Sequence, residues 1–419
     1  MPSNERMLSR TRPFRVLIVG GSYGGLSAAL TLLDLCNGRV ARFDHTQDAK
    51  PPGSTIPVHI TIVDERDGFY HLIGSPKALA CEEFASKTWV TYAEIPAIQS
   101  SNVEFIRGSI SSIDSQGKIA AVHKRGASTP TEVLYDFFIA SSGLRRTFPT
   151  VPQSVEKLEF LQEARDHQRK IKDASDGVVV VGGGAVGVEI AAEVKVLYPS
   201  QKVTLVHSRD RLLSAEPLPE DFKERVASVL QEEGVEVVLG KRVMETVLVE
   251  SEESRQTWQI TLADKTRMQA GHVINAISKS IPTTSYLPQN VLDTDGYVLI
   301  QPSLQFPGKI PHAENHFAVG DIASWAPIKR CGGAIHMGYH AGHNVHQLML
   351  SECLQSEPQL LKLQDSPAVI GLAVGHNAVS YSSPEGTQHG RHMLDMLFGN
   401  DMGYSICWNY MRLSEPYKA

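Results

Sequence analysis

The chain spells one local arrangement twice. Residues 15–30 read RVLIVGGSYGGLSAAL, and residues 177–194 read GVVVVGGGAVGVEIAAEV. Each is an apolar run, a glycine cluster and a stretch of helix formers, the pattern of a strand, a tight turn and a helix. The later segments also come in a shared order. HITIVD ends on Asp64 in the first copy and KVTLVH on His207 in the second, each placed as the second strand of a βαβ unit. NVEFIRGSISSID and GVEVVLGKRVMETV come next, then β-rich segments. Each copy closes on an apolar strand with a small-residue end, FFIASSG at 137–143 and HVINAIS at 272–278. A common order of segments on top of a common turn predicts an internal duplication of one α/β unit.

The glycine spacing says what such a turn is for. Gly182, Gly184 and Gly187 stand in GxGxxG. The first permits the turn, the second lets backbone approach a pyrophosphate, and the third lets helix and strand pack closely. The helix start then offers N–H groups and the positive end of its dipole to phosphate. In the first copy Gly20, Gly24 and Gly25 surround the turn, but Ser22 holds the close-approach position. Asp64, at the strand end, is placed to hold a ribose hydroxyl pair. That predicts an adenosine diphosphate moiety and leaves NAD and FAD both open. At the matching place in the second copy the carboxylate is missing. His207 stands there, with Arg209 and Arg211 just beyond. Two arginines suit a 2′-phosphate, which predicts that NADPH is preferred or well accepted. The alternative is that both arginines only solvate a loop.

Bulk composition excludes several classes. With 42% hydrophobic and 21% charged residues over 419 positions and a net charge of −6, the chain gives no electrostatic reason to expect nucleic acid as a partner. No apolar run approaches the ~18 residues of a spanning helix. The start carries Arg6, Arg10 and Arg12 without the apolar core of a secretory signal, and Pro2 excludes N-myristoylation. A cytoplasmic chain is expected, with a short transit peptide as the alternative. Five cysteines show no CxxC, no CxxxxC and no zinc spacing, and read as reduced thiols. His336, His340, His343 and His346 recur at helical spacing but lack carboxylate or cysteine partners, so no metal is expected.

The late phrase HFAVGDIAS, at 316–324, decides between the two dinucleotides. With the two turns and their closing strands, it resembles the two-dinucleotide-binding flavoproteins over nearly the whole chain. The resemblance implies two Rossmann-like domains: an FAD-binding domain in two parts (1–150 and 291–365), an inserted NAD(P)H-binding domain (151–290), and a C-terminal segment (366–419) covering the flavin and acceptor site. It implies that Gly143 belongs to the first cofactor site. It also implies that Gly320 and Asp321 reach the ribityl and phosphate part of FAD. The end of the chain, with its GHN turn, the run WNYMR at 408–412 and Pro416, is similar to the AMID-type, apoptosis-inducing-factor-like and ferroptosis-suppressor-related group, relatives of type II NADH dehydrogenases.

The implied activity takes hydride from NAD(P)H onto FAD and passes electrons to a quinone-like or other small organic acceptor. Two alternatives stay open: a biosynthetic flavoenzyme acting on a specialised metabolite, and a redox-sensing or interaction flavoprotein. The missing CxxxxC removes glutathione-reductase-like chemistry. By the same resemblance, Glu189 matches a carboxylate that in related flavoproteins sits near flavin N5 and the nicotinamide. Lys77 in GSPKAL either pairs with it or is a solvated surface lysine. The resemblance puts the start of the late helix at the flavin's pyrimidine end, which makes His336 a candidate donor to the flavin or to substrate. Met393, Leu394, Met396, Leu397 and Phe398 serve domain packing or rest on a membrane surface, giving a peripheral membrane contact. Between the copies, Val155, Leu158, Leu161 and Ile171 predict an amphipathic bridging helix, and the polar insert at 39–57 predicts a surface loop.

Overall fold

The computed structural model describes residues 6–7, 12–46, 50–250, 256–326, 328–364 and 368–417. Most of the arginine-bearing start lies outside them. The strand Phe14–Val19 lies between the parallel strands Val58–Asp64 and Phe137–Ala140. Val103–Asp114 follows on the first side and His316–Ala318 on the other, and two antiparallel strands, Ile119–Lys124 and Thr131–Leu134, complete a sheet of seven. Strands covered on both faces need continuous apolar runs rather than alternation, which is what VLIV and FFIA supply. Register pairs Val19 with both Val63 and Ala140. The three strands therefore end at one edge, where Gly20, Asp64 and Ser141 emerge together.

The second copy repeats this order. Val178–Val181 lies between Val203–Val206 and His272–Asn275, with Glu236–Val238 outermost, and a three-stranded antiparallel sheet is attached. Leu144–Arg145 pairs antiparallel with Ile281–Pro282 where the chain passes between the copies. The architecture is two Rossmann-like subdomains with a smaller C-terminal region.

The first-copy helix, Tyr23–Cys36, is buried along its length against the long helix Cys331–Leu354. Glycine permits this contact: a Cβ at Gly338 would lie 2.2 Å from the Gly24 carbonyl oxygen. The bridging helix spans Lys157–Lys172, but its buried stripe runs through Phe160, Ala164, His167 and Ile171. Phe160 stacks on Trp89 at 5.4 Å. Leu158, expected on the apolar face, is 78% exposed because it precedes that stripe. The 39–57 insert is not only surface. Phe43 and Ile56 are buried, and the Arg42 guanidinium pairs with Asp34 at 2.8 Å and donates to the Met411 carbonyl. It ties the end of the first helix to the C-terminal region.

That region is a three-stranded antiparallel sheet (Ile370–Val374, Asn377–Ser382, Gly386–Gly390) followed by the helices Arg391–Leu397 and Tyr404–Tyr410. Met393, Leu394 and Phe398 pack with Leu79, Phe84 and Trp89, whereas Met396 is exposed. No described helix is long and apolar enough to cross a membrane. The GHN turn docks on the second copy. The Glu233 carboxylate accepts the His376 backbone N–H at 2.9 Å, His376 Nδ1–H at 2.9 Å and the Asn377 amide at 3.1 Å. Gly375, at φ +63°, lets the chain curl over that carboxylate. Glu233→Ala removes three hydrogen bonds, two of them from the exposed His376, so it should lower stability by about 1–2 kcal/mol. Limited proteolysis should then cut first within the last fifty residues, and a cleavage pattern identical to wild type would refute this docking role.

Candidate cofactor site

Both turns are built to one plan. Gly20 at φ +102° and Gly182 at φ +116° adopt backbone that only glycine tolerates well. A Cβ at Gly25 would sit 1.8 Å from the Gly20 carbonyl oxygen, and one at Gly187 1.9 Å from that of Gly182. By contrast, a Cβ at Gly184 would meet nothing within 4 Å. The protein leaves open the space above that glycine, as an approaching phosphate requires. Ser22 holds the same helix N-cap place as Gly184, with extended backbone in both, so serine is accommodated without strain. A Cβ at Gly24 would lie 3.1 Å from Val319 and 3.4 Å from the Ala334 carbonyl oxygen, so its missing side chain also eases packing against the late strand and helix.

The strand ends make the same bond with different chemistry. Asp64 Oδ2 accepts the Gly21 N–H at 2.6 Å, while His207 Nδ1 accepts the Gly183 N–H at 3.0 Å. An Nδ1 that accepts carries no proton, so His207 is neutral with its hydrogen on Nε2, facing Ser214 Oγ at 3.1 Å. Burial and the nearby Arg209 charge lower its pKa. The two arginines separate here. Arg211 is bound to Glu220 and Glu224, through exposed side chains, at the start of the Glu220–Glu232 helix. The exposed Arg209 side chain makes no ion pair with a described residue.

Gly320, at φ +75°, turns the chain after the strand His316–Ala318 and delivers Asp321. Burial raises the Asp321 pKa, opposed by the Arg146 and Lys329 charges, and no hydrogen bond joins its carboxylate to a described residue. A half-buried carboxylate lacking a donor suits a ligand that brings hydroxyl groups, so the residues fit the ribityl chain of FAD. Gly143, at φ +73°, accepts the Thr283 N–H and hydroxyl with its carbonyl while its own side-chain direction is open.

Glu189 lies in the Ala185–Leu197 helix, where Oε1 accepts the Ala373 N–H of the C-terminal sheet at 3.3 Å. Although part of its surface reaches solvent, its crowded surroundings push its pKa up to about 8, and Glu193 adds like-charge repulsion. Lys77 does not pair with it. Its ammonium donates to the Asn400 carbonyl at 3.1 Å, and its charge acts on Glu193 instead. His336 is exposed and contacts His340 at 4.1 Å between ring centroids. Two positions from Gly338 is about 200° around a helix, the face opposite the first-copy contact. His340 and His346 are buried, which pushes the pKa of each down to about 4. No cluster of three or more His, Cys, Asp or Glu among the described residues is placed to share a metal ion.

Sequence reasoning missed one relay. The Tyr23 hydroxyl donates to His71 Nδ1 at 3.0 Å, and His71 Nε2–H donates to the Met402 carbonyl at 2.9 Å. Burial holds His71 neutral, with a pKa near 4. This joins the first glycine turn to the C-terminal region. The only signal was a tyrosine inside the turn.

A family model described as pyridine nucleotide-disulphide oxidoreductase matches residues 14–343. The chain belongs to that family. Its chemistry is therefore oxidoreduction linked to FAD and NAD(P)H. It is 46% identical to oxidoreductase OXR1 of Ajellomyces capsulatus, covering 100% of this chain and 92% of that protein. It is 28% identical to ferroptosis suppressor protein 1 of Mus musculus, over 97% and 98% of the two chains. Among solved structures, a water-forming NADH oxidase of Lactobacillus brevis bound to NADH superposes with a TM-score of 0.62 at 18% identity, covering 88% of this chain and 75% of that one. A ferredoxin reductase of Rhodopseudomonas palustris gives 0.63 at 16% identity, covering 88% and 82%. Those two likenesses bear on the fold alone.

Proposed function

We propose that this protein is an FAD-dependent NAD(P)H oxidoreductase of the AMID type, passing electrons to a quinone-like or other small organic acceptor. The observation that carries the reading is the pair of matched turns, with a carboxylate under one and a neutral imidazole under the other. One copy suits the adenosine half of FAD, and the other a nicotinamide dinucleotide that bears a 2′-phosphate. FAD, when bound, supplies a hydride acceptor that can release electrons onward. Gly20, Ser22, Gly25, Asp64, Gly143, Gly320 and Asp321 would hold it, and Gly182, Gly184, Gly187, His207 and Arg209 would hold the nicotinamide cofactor. Glu189 orients and shields: largely protonated at neutral pH, it offers a neutral hydrogen-bond donor where a carboxylate would repel electron-rich groups. Likeness to ferroptosis suppressor protein 1 along nearly the full chain supports the AMID-type assignment.

The test is anaerobic. NADPH should bleach the flavin spectrum of the purified protein, and a quinone panel should restore it. Bleaching without recovery by any quinone would remove the acceptor assignment and keep the cofactors.

Glu189 carries its own prediction. A raised carboxyl pKa means that the fold favours the neutral form. Its contribution to stability is full below about pH 4.5 and lost as pH rises through about 8. Glu189→Gln stays neutral throughout, so the variant should gain on wild type between pH 5 and pH 9 by roughly 2–4 °C in Tm. Stopped-flow reduction by NADPH should slow more than NADPH binding weakens. A pH-independent Tm difference would reject the buried-acid account, and reduction at the wild-type rate would reject the orienting role.

A further inference from the structure

The five cysteines are scattered in sequence, yet folding brings two of them together. Cys331 is the first residue of the long helix Cys331–Leu354, and Cys407 lies in the C-terminal helix Tyr404–Tyr410. Their sulfurs are 4.0 Å apart although the residues are 76 positions apart. A disulfide needs ~2.05 Å between sulfurs, which a shift of about 2 Å supplies. We propose that Cys331 and Cys407 are an oxidisable thiol pair, in which a peroxide converts Cys331 and Cys407 closes a reversible disulfide.

The two thiols are set up differently. Cys331 is partly exposed at a helix N-terminus, whereas Cys407 is buried beside it. The Cys407 S–H and the Gly332 N–H both favour the Cys331 thiolate and lower its pKa, while the same contact and burial push Cys407 up. Cys331 is thus the attacking sulfur. Its thiolate displaces one oxygen of the peroxide O–O bond, leaving a sulfenic acid and, after protonation, an alcohol or water. The Cys407 sulfur then attacks that sulfenic sulfur. The S–S bond forms, the S–OH bond breaks, and the Cys407 proton leaves with the hydroxide as water. Two electrons pass from the thiol pair to the peroxide. Cys36 has no such option, since its sulfur faces the Met349 thioether at 3.9 Å. The bond would pin the C-terminal helix to the helix start that packs on the Gly320–Asp321 turn.

The experiment treats the full-length protein with hydrogen peroxide and reads the denatured intact mass and a digest. The expected result is loss of two hydrogens per chain, reversed by dithiothreitol, and a cross-linked peptide pair containing Cys407. Trypsin leaves Cys331 and Cys353 on one peptide. The cross-link should therefore persist in Cys353→Ser and vanish in Cys331→Ser and in Cys407→Ser. In Cys407→Ser, a sulfenic-acid probe such as dimedone should label Cys331. A cross-link that survives Cys331→Ser, or wild-type thiols that stay reduced or go to sulfinic acid without linkage, would overturn the proposal.

Discussion

Asp321→Ala should leave the purified protein nearly colourless while it stays folded. The carboxylate follows a left-handed Gly320, lies half-buried, and has no hydrogen-bond donor among the described residues. Hydrogen bonds from ligand hydroxyls to a charged acceptor are worth about 1.5–3 kcal/mol each, so losing one or two weakens FAD roughly ten- to a hundred-fold or more. The same substitution removes a desolvated charge from the apoprotein, which should unfold no earlier than wild type. Flavin content per chain and far-UV circular dichroism check both halves. Stoichiometric flavin in the variant would show that the AVGDIA turn does not hold the cofactor.

The second large effect concerns nicotinamide choice. Glutamate at position 207 can accept the Gly183 N–H as Asp64 accepts that of Gly21, so His207→Glu should preserve the turn. It also places a carboxylate where a ribose 2′-phosphate would lie. Like charges at that distance should lower kcat/KM for NADPH by roughly ten-fold or more, with a smaller change for NADH. The structure adds a control that distinguishes the two arginines. Arg209→Ala should weaken NADPH selectively, whereas Arg211→Ala, which frees Glu220 and Glu224, should leave the preference between cofactors unchanged. A wild-type protein that strongly prefers NADH, with no further discrimination in His207→Glu, would end this reading of the strand end.

Much of the scaffold was legible because it depends on neighbours in the chain. Apolar runs before GGSYGG and GGGAVG specify buried parallel strands, and the third glycine of each turn is required by a carbonyl only five residues away. Asp64 and His207 could be placed at strand ends from the alternation of segments alone. What each side chain does with its position was settled by its partners in the fold, some near in the chain and most of them far along it. Arg211 is held by a helix that begins nine residues later, Lys77 by a carbonyl at Asn400, and Glu189 by an N–H from Ala373. Leu158 lost its expected place because the bridging helix presents Phe160 to Trp89. Cysteine spacing could not pair Cys331 with Cys407, since their approach depends on the C-terminal region docking through Glu233, Arg42 and His71. Local backbone geometry and strand burial are encoded within a dozen residues. Desolvation, ion pairing and thiol proximity are properties of the surfaces that meet after folding, and only the tertiary structure decides those.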